Sequence, residues 1–213
     1  MSAICPSITA PDAQAYREQM ARVAPFATRV HLDFSDGKLA PIKLVNPVQA
    51  YWPDTVIADL HLMFTNPTTE LETVISLKPN LVIIHAEAQG DLLGMMRQLR
   101  AVNIKTGVAL LQPTQPEAAA DLIAEADHVL LFSGDLGHFG GTADLRLLSK
   151  VRGIRAANAT AEIGWDGGVN AENAGQLVMG GVEVLVAGGA IHKAADPKAA
   201  YAALANVADK VIG

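Results

Sequence analysis

Short apolar runs recur along the chain at nearly regular intervals, and they constrain the fold more than any other feature of the sequence. Each run is rich in Val, Ile and Leu, and longer Ala-, Leu- and Glu-rich stretches separate the runs, as in repeated βα units. The runs predict strands at residues 3–8, 29–34, 56–63, 80–86, 105–111, 128–133, 161–168 and 182–189. Eight strand–helix repeats in 213 residues predict the α/β class and a (β/α)8 TIM barrel, with residues 1–213 forming a single domain.

Amphipathic helices fit between the predicted strands and carry recognisable start signals. A Pro-Asp pair opens the stretch 11–23, and Asn66, followed by a proline, is a suitable N-cap for a helix over 66–77. Asn170 is the predicted cap of a helix over 170–181, which a glycine pair ends. No G-x-G-x-x-G motif opens the first helix, which argues against a doubly wound dinucleotide-binding sheet.

Composition excludes several classes of partner. The formal net charge is −6 and the pI is about 5.4, which argues against a nucleic-acid or anionic-membrane surface. No apolar run approaches the roughly 20 residues that a membrane helix needs. Cys5 is the single cysteine, and the N-terminus shows no signal-peptide pattern. We therefore expect a cytoplasmic protein without nucleic-acid or membrane partners.

Four polar residues lie near the predicted C-terminal ends of three strands, where barrel active sites form. His31 and Asp33 are two residues apart on one strand and so point to the same side, and His61 and Asp166 come from two other strands. Two imidazoles and two carboxylates suit one divalent cation of the zinc, iron, manganese or cobalt type. The alternative is that the histidines are hydrogen-bonded core residues and the aspartates are loop caps.

Paired glycines follow the last three predicted strands. Barrels often bind phosphate with loops at this position, because glycine lets backbone N–H groups approach phosphate oxygens closely. Turn geometry alone explains most isolated glycine pairs. The candidate phosphate-binding pairs are Gly140-Gly141, Gly167-Gly168 and Gly188-Gly189.

The order of these motifs resembles that of the ribulose-phosphate 3-epimerase family. The resemblance covers nearly the whole chain, through "CPSI", "HLDFSDG", "HLM" followed by "NP", "IIHAEA", "GVALLQPTQP", "FGG", "WDGG" and "LVAGGAI". It implies reversible inversion at C3 of D-ribulose 5-phosphate to give D-xylulose 5-phosphate. The partner implied is a small-molecule sugar phosphate, and a homo-oligomer is expected.

The resemblance also implies a role for each matching residue. One divalent metal ion would be bound by His31, Asp33, His61 and Asp166, and Asp33 and Asp166 would be the catalytic acid and base. The implied substrate-binding residues are Ser7, His61, Met63, Gly140, Gly141, Gly167, Gly168, Gly188 and Gly189. His85 and Glu87 are expected to support the site rather than to bind the metal, and His128 and His192 are expected at the surface.

The chain departs from the family pattern at residues near the substrate. Ser35 stands where the family usually has Met, Lys38 and His138 lie in altered loops, and Gly189 replaces a usual Ser. An epimerase of a related hexulose 6-phosphate and a non-catalytic sugar-phosphate-binding barrel therefore remain alternatives. A decarboxylase with an Asp-x-Lys-x-x-Asp motif is disfavoured, because His61 stands at the Lys position and no second Asp follows.

Overall fold

The predicted barrel is confirmed. The computed structural model describes residues 3–138 and 141–212, and its strands form one closed parallel barrel in which each strand pairs with its sequence neighbours and the first pairs with the last. The strands are β1 (Ala3–Thr9), β2 (Arg29–Ser35), β3 (Ile57–Met63), β4 (Leu81–His85), β5 (Lys105–Leu110), β6 (His128–Phe132), β7 (Glu162–Asp166) and β8 (Val184–Ala187). Each lies within one of the predicted runs or extends it by one residue.

Helices pack around the outside of the barrel. They are α1 (Ala13–Val23), α2 (Leu71–Leu77), α3 (Leu92–Ala101), α4 (Ala120–Glu125), α5 (Lys150–Ala157), α6 (Ala174–Met179), α7 (Gly189–His192) and α8 (Pro197–Ile212). The start of α1 is capped by Asp12, whose carboxylate accepts the N–H groups of Gln14 and Ala15 at 2.9 Å. Asn66 caps a short 3-10 turn that leads into α2, as predicted. Among the described residues, no helix is long and apolar enough to cross a membrane.

The helix predicted to start at Asn170 begins later, at Ala174. The side-chain oxygen of Asn170 accepts the N–H groups of Glu172 and Asn173, which holds these residues in a turn. The carbonyl of Asn170 then accepts the N–H of Ala174 at 3.0 Å. Gly180 ends the helix, within the predicted glycine pair.

The connection between β2 and β3 differs from a regular βα unit. Within the described residues 36–56, the helical element is a 3-10 turn at Pro47–Gln49 rather than an α-helix. Prolines recur through this segment and interrupt helical hydrogen bonding. Its buried Ala40 and Leu44 pack on Met63 at the end of β3 and against Leu136 of the β6–α5 loop. The connection therefore covers one side of the barrel mouth.

Two apolar layers stabilise the fold. The larger lies between the strands and the surrounding helices, as expected for a parallel sheet buried on both faces. The smaller is contributed by alternate residues of five strands and fills the barrel interior, with Cys5, Ile83, Ala109, Leu130 and Val186 among its members. Buried or partly buried carboxylates lie near the C-terminal ends of β2 and β7, at Asp33 and Asp166.

An ion-pair network fills the N-terminal end of the barrel. Arg29 contacts Asp59 at 2.5 Å and Glu162 at 2.8 Å, and His128 Nδ1 lies 2.8 Å from Glu162. His128 is 2% exposed, so its predicted surface position is wrong; it points inward from the first residue of β6. His192 is also not a free surface residue, because its Nε2 lies 2.8 Å from the carbonyl oxygen of Ser7.

Because of this network, the free energy of unfolding should depend on pH in the acid range. Burial acts to raise the pKa of Glu162, but the hydrogen bonds with His128 and Arg29 outweigh it and hold that pKa well below its usual range. A carboxylate with a lowered folded-state pKa stabilises the fold above its unfolded pKa of about 4.3, and this stabilisation is lost as pH falls. We expect Glu162→Gln to lower the free energy of unfolding by about 1–2 kcal/mol at pH 7.

Urea unfolding of both proteins from pH 7 to pH 3 checks this. The difference between wild type and Glu162→Gln should narrow progressively below about pH 4. A difference of the same size at every pH would show that the lost contacts do not depend on the charge of Glu162.

Candidate metal centre and active site

The four residues predicted to share a cation converge at the C-terminal end of the barrel. His31, Asp33, His61 and Asp166 each offer one ligand atom, and these four atoms lie within 4.8 Å of one another. The pairing of β2 with β3 places Asp33 beside His61, and Asp166 is the last residue of β7. Both histidines are buried, at 1% and 0% exposure. The predicted set is therefore a spatial cluster.

The donor atoms of this cluster face one another. His61 Nδ1 lies 2.9 Å from Asp33 Oδ1, and His31 Nε2 lies 3.3 Å from the same oxygen and 3.9 Å from Asp166 Oδ2. Within the described part of the chain, His31 Nε2 is buried and makes no hydrogen bond. A buried polar atom without a partner is costly, and a cation bound between these atoms would satisfy it. The residues therefore fit a divalent metal ion.

The protein groups alone place the two carboxylates in different protonation states. Burial acts to raise the pKa of Asp33, but its interactions with His31 and His61 outweigh burial and keep that pKa well below its usual range. Burial, reinforced by the charge of Asp33, raises the pKa of Asp166 to about 7. Near neutral pH one carboxylate is thus ionised and can act as a base, while the other is close to its midpoint and carries a proton in about half of the molecules.

The two imidazoles of the cluster also differ in the direction of their pKa shifts. Burial lowers the pKa of His61 to about 3 despite the nearby Asp33, so its ring is neutral near pH 7. Burial also opposes protonation of His31, but the neighbouring carboxylates of Asp33 and Asp166 outweigh it and raise the pKa of His31. A neutral imidazole is the form that binds a metal ion.

Thr9 was not predicted and supports the cluster directly. Its hydroxyl donates to Asp33 Oδ2 at 2.6 Å, which leaves Oδ1 facing the two histidines. Gln19 of α1 holds the backbone of Thr9 at both its N–H and its carbonyl. The available signal was spacing, because Thr9 follows Ser7 by two residues on β1 and so shares its side of the strand.

His85 and Glu87 lie behind His61. His85 Nε2 is 2.8 Å from His61 Nε2, and His85 Nδ1 is 3.3 Å from Glu87 Oε2. The other oxygen of Glu87 accepts the backbone N–H of Leu111 at 3.0 Å. Burial acts to raise the pKa of Glu87, but hydrogen bonds with His85, Thr114 and Leu111 outweigh it and lower that pKa. These residues therefore extend the polar network away from the mouth.

A cavity of about 260 Å³ opens above the cluster. Of the predicted substrate-binding residues, those in its lining are Ser7, Met63, Gly141, Gly167, Gly168, Gly188 and Gly189. His61 lies below it in the cluster, and Gly140 is outside the described residues. His138 also lines the cavity, whereas Lys38 is exposed on the β2–β3 connection. Lys193, which follows α7, lines the cavity and was not predicted.

At two positions after β7, only glycine fits. Gly167 has φ +110°, and a Cβ there would lie 2.2 Å from the backbone nitrogen of Gly134. Gly168 has φ +70°, and a Cβ there would lie 2.2 Å from the backbone nitrogen of Ala143. The β7 loop thus packs backbone against backbone on the β6 loop at the cavity wall.

The cluster predicts that divalent metal ions stabilise the protein. A ligand that binds the native state at 100 times its Kd adds about 2.7 kcal/mol to the free energy of unfolding. We expect Zn²⁺ or Co²⁺ to raise the Tm of the wild type in calorimetry, and His31→Gln to reduce or abolish the rise. His138→Gln, a matched change at an exposed histidine of the mouth, should keep the rise. An unchanged wild-type Tm, or an equal rise in His31→Gln, would contradict metal binding at this cluster.

The chain is similar to the members of one enzyme family. The profile described as "Ribulose-phosphate 3 epimerase family" matches residues 3–192. Ribulose-phosphate 3-epimerase of Mycobacterium leprae (strain TN) is 34% identical over 218 residues, covering 98% of this chain and 96% of the relative. The protein of the same name from Helicobacter pylori (strain ATCC 700392 / 26695) is 31% identical over 212 residues, covering 96% of this chain and 97% of the relative.

A solved structure shows a similar fold at low sequence identity. KGPDC from Streptococcus mutans has a TM-score of 0.74 and 12% identity, and the match covers 100% of this chain and 100% of that one. At this identity the likeness concerns the barrel fold alone. The profile match and the curated relatives show that this chain belongs to the ribulose-phosphate 3-epimerase family, whose members are isomerases.

Proposed function

We propose that this protein inverts C3 of a ketose phosphate, converting D-ribulose 5-phosphate to D-xylulose 5-phosphate reversibly. One observation carries the proposal. Asp33 and Asp166, which come from two strands that are not neighbours in the barrel, β2 and β7, both line the cavity and both approach His31 Nε2. Two carboxylates of opposite protonation state are what inversion of a stereocentre requires.

The reaction explains why two carboxylates are needed. A hydrogen next to a carbonyl is a weak acid, and its removal gives an enediolate with negative charge on oxygen. A single carboxylate would return the proton to the face from which it came. We assign Asp33 and Asp166 as a base and an acid on opposite faces of the substrate, with their roles exchanged when the direction reverses.

The metal site supports the same assignment. His31, Asp33, His61 and Asp166 would hold one divalent cation, of the zinc, iron, manganese or cobalt type. Such a cation, when bound, stabilises negative charge that develops on substrate oxygens. Thr9 holds Asp33 so that the same oxygen faces both histidines, which keeps the carboxylate in position during proton transfer.

We assign the glycine-lined side of the cavity to the phosphate group. Gly141, Gly167, Gly168, Gly188 and Gly189 line it, and Gly140 is assigned to the same role from the sequence. Lys193 adds a cationic side chain at the cavity lining. Ser7 and Met63 are assigned to the sugar, as is His61 through its place in the cluster.

A hexulose 6-phosphate is the second candidate substrate. Ser35, which is buried beside the mouth, is smaller than the methionine usual in the family, and its Oγ accepts the N–H of Gly37 at 3.0 Å. Ser35 follows Asp33, a residue of the cavity lining, by two positions on β2 and shares its side of the strand, so a smaller side chain there is the observation that favours a longer sugar. Turnover measured on pentulose and hexulose phosphates side by side separates the two substrates, and absence of turnover on both favours a sugar-phosphate-binding barrel.

Three further properties are proposed from the sequence and family. We propose that residues 1–213 act as one domain, that the protein is cytoplasmic and that it assembles as a homo-oligomer. Light scattering on the purified protein tests the assembly. A monomer at all concentrations would reject it.

The two carboxylates are tested by substitution. Asp33→Asn and Asp166→Asn should each lower kcat by a factor of about 10²–10⁴, since each removes one proton carrier. With ribulose 5-phosphate in deuterated water, the wild type should place deuterium at C3. Asp54→Asn, a matched change at an exposed residue of the β2–β3 connection, should keep wild-type turnover. Wild-type turnover in either active-site variant, with unchanged fold by circular dichroism, would reject the two-carboxylate assignment.

Gly189 offers a test of the phosphate assignment. Gly189→Ser adds a hydroxyl to the cavity lining, where it can donate to a phosphate oxygen. One hydrogen bond to a charged group contributes about 1.5 kcal/mol, so KM should fall by about tenfold while kcat changes little. Steady-state kinetics measure both constants. An unchanged KM, together with unchanged inhibition by inorganic phosphate, would place the phosphate elsewhere.

A further inference from the structure

A chain of three side chains runs from the metal cluster to the backbone of Leu111, the residue after β5. His61 Nδ1 faces Asp33 Oδ1 at 2.9 Å, and His61 Nε2 meets His85 Nε2 at 2.8 Å. His85 Nδ1 then lies 3.3 Å from Glu87 Oε2. Both histidines are 0% exposed, so neither ring exchanges these partners for water. Each ring must therefore place its N–H and its lone pair toward these two protein partners.

A neutral imidazole has one N–H and one lone pair, so the chain has two possible directions. In the first, His85 donates from Nδ1 to Glu87, and His61 donates from Nε2 to His85. His61 Nδ1 then keeps its lone pair toward Asp33. In the second, each hydrogen bond runs in the opposite direction, and His61 Nδ1 carries the proton.

The two directions differ in their capacity to bind a cation. His61 Nδ1 is the nitrogen that faces Asp33, so it is the one that can share an ion with that carboxylate. Only the first direction leaves its lone pair free. Glu87 favours the first direction, because a carboxylate accepts hydrogen bonds and does not donate them. Asp33 favours the second direction by the same rule, until a cation lies between its carboxylate and His61 Nδ1 and replaces that hydrogen bond. The backbone N–H of Leu111 fixes Glu87 in place.

We propose that His85 and Glu87 are positioning residues that hold His61 in the tautomer able to bind the metal. Histidine ligands commonly donate their second N–H to a carboxylate or carbonyl. Here a second histidine carries that interaction from His61 to Glu87. This inference rests on the proposed metal centre. It identifies two residues that set the affinity of that centre for the metal ion.

Glu87→Gln is the most informative substitution, because it nearly preserves the shape of the side chain and should reverse the direction of the hydrogen bonds. The N–H of Leu111 still needs an acceptor, so the amide oxygen should stay beside Leu111 and the NH₂ should face His85 Nδ1. His85 must then accept at Nδ1 and donate from Nε2, which puts the proton of His61 on Nδ1. We expect Zn²⁺ affinity to fall by about 10–100-fold.

Glu162→Gln is the matched control. Glu162 also contacts a buried histidine, His128, at 2.8 Å, but at the N-terminal end of the barrel. This variant should lose stability and keep the Zn²⁺ affinity of the wild type. A general loss of packing would instead weaken Zn²⁺ binding in both variants.

The experiment combines Zn²⁺ affinity with the ring protons themselves. Competition with a chelating dye gives the affinity of wild type, Glu87→Gln and Glu162→Gln. Long-range ¹H–¹⁵N NMR of the Zn²⁺-loaded wild type should find His85 protonated on Nδ1 and His61 on Nε2, and this measurement does not depend on any variant folding.

Three results would overturn the inference while leaving the proposed centre intact. The first is wild-type Zn²⁺ affinity in Glu87→Gln, and the second is an equal loss of affinity in Glu162→Gln. The third is a proton on Nε2 of His85 in the Zn²⁺-loaded wild type. If the wild type binds no divalent ion at all, the proposed metal centre itself fails.

Discussion

Burial of negative charge at the mouth of the barrel is the constraint on which the rest of the site depends. Asp33 is 6% exposed and stays ionised only because neighbouring groups stabilise its charge. Thr9 donates to one of its oxygens, and two imidazoles face the other. For Asp166, burial and the charge of Asp33 outweigh the stabilising effects of His31 and the Gly167 N–H, and its pKa is raised to about 7. The difference between the two carboxylates arises from their surroundings alone.

The closed barrel makes this arrangement possible. Parallel pairing of β2 with β3 sets Asp33 directly beside His61, and β7 brings Asp166 to the same end. The apolar layer inside the barrel separates this polar end from the ion pairs around Arg29 at the other. Chemistry at the mouth and stability at the base are therefore carried by different residues.

Much of this was predictable, because it follows from periodicity. Alternation along β2 placed His31 and Asp33 on one side, and the barrel rule placed strand ends together. The contacts of Thr9 and the meeting of His61 with His85 were not predictable, because they depend on barrel register. Prolines were the available signal that the β2–β3 connection lacks an α-helix in its described residues. His128 was misjudged because a strand's first residue can already point inward.

The central claim is that one cation is shared by four side chains, with His61 bound through Nδ1. Anomalous X-ray diffraction from crystals grown with Co²⁺, recorded at the cobalt edge, tests it most directly. The account predicts a single strong peak within about 2.2 Å of His31 Nε2, His61 Nδ1 and an oxygen of each aspartate. A strong peak elsewhere, no peak, or ligation of His61 through Nε2 would contradict it.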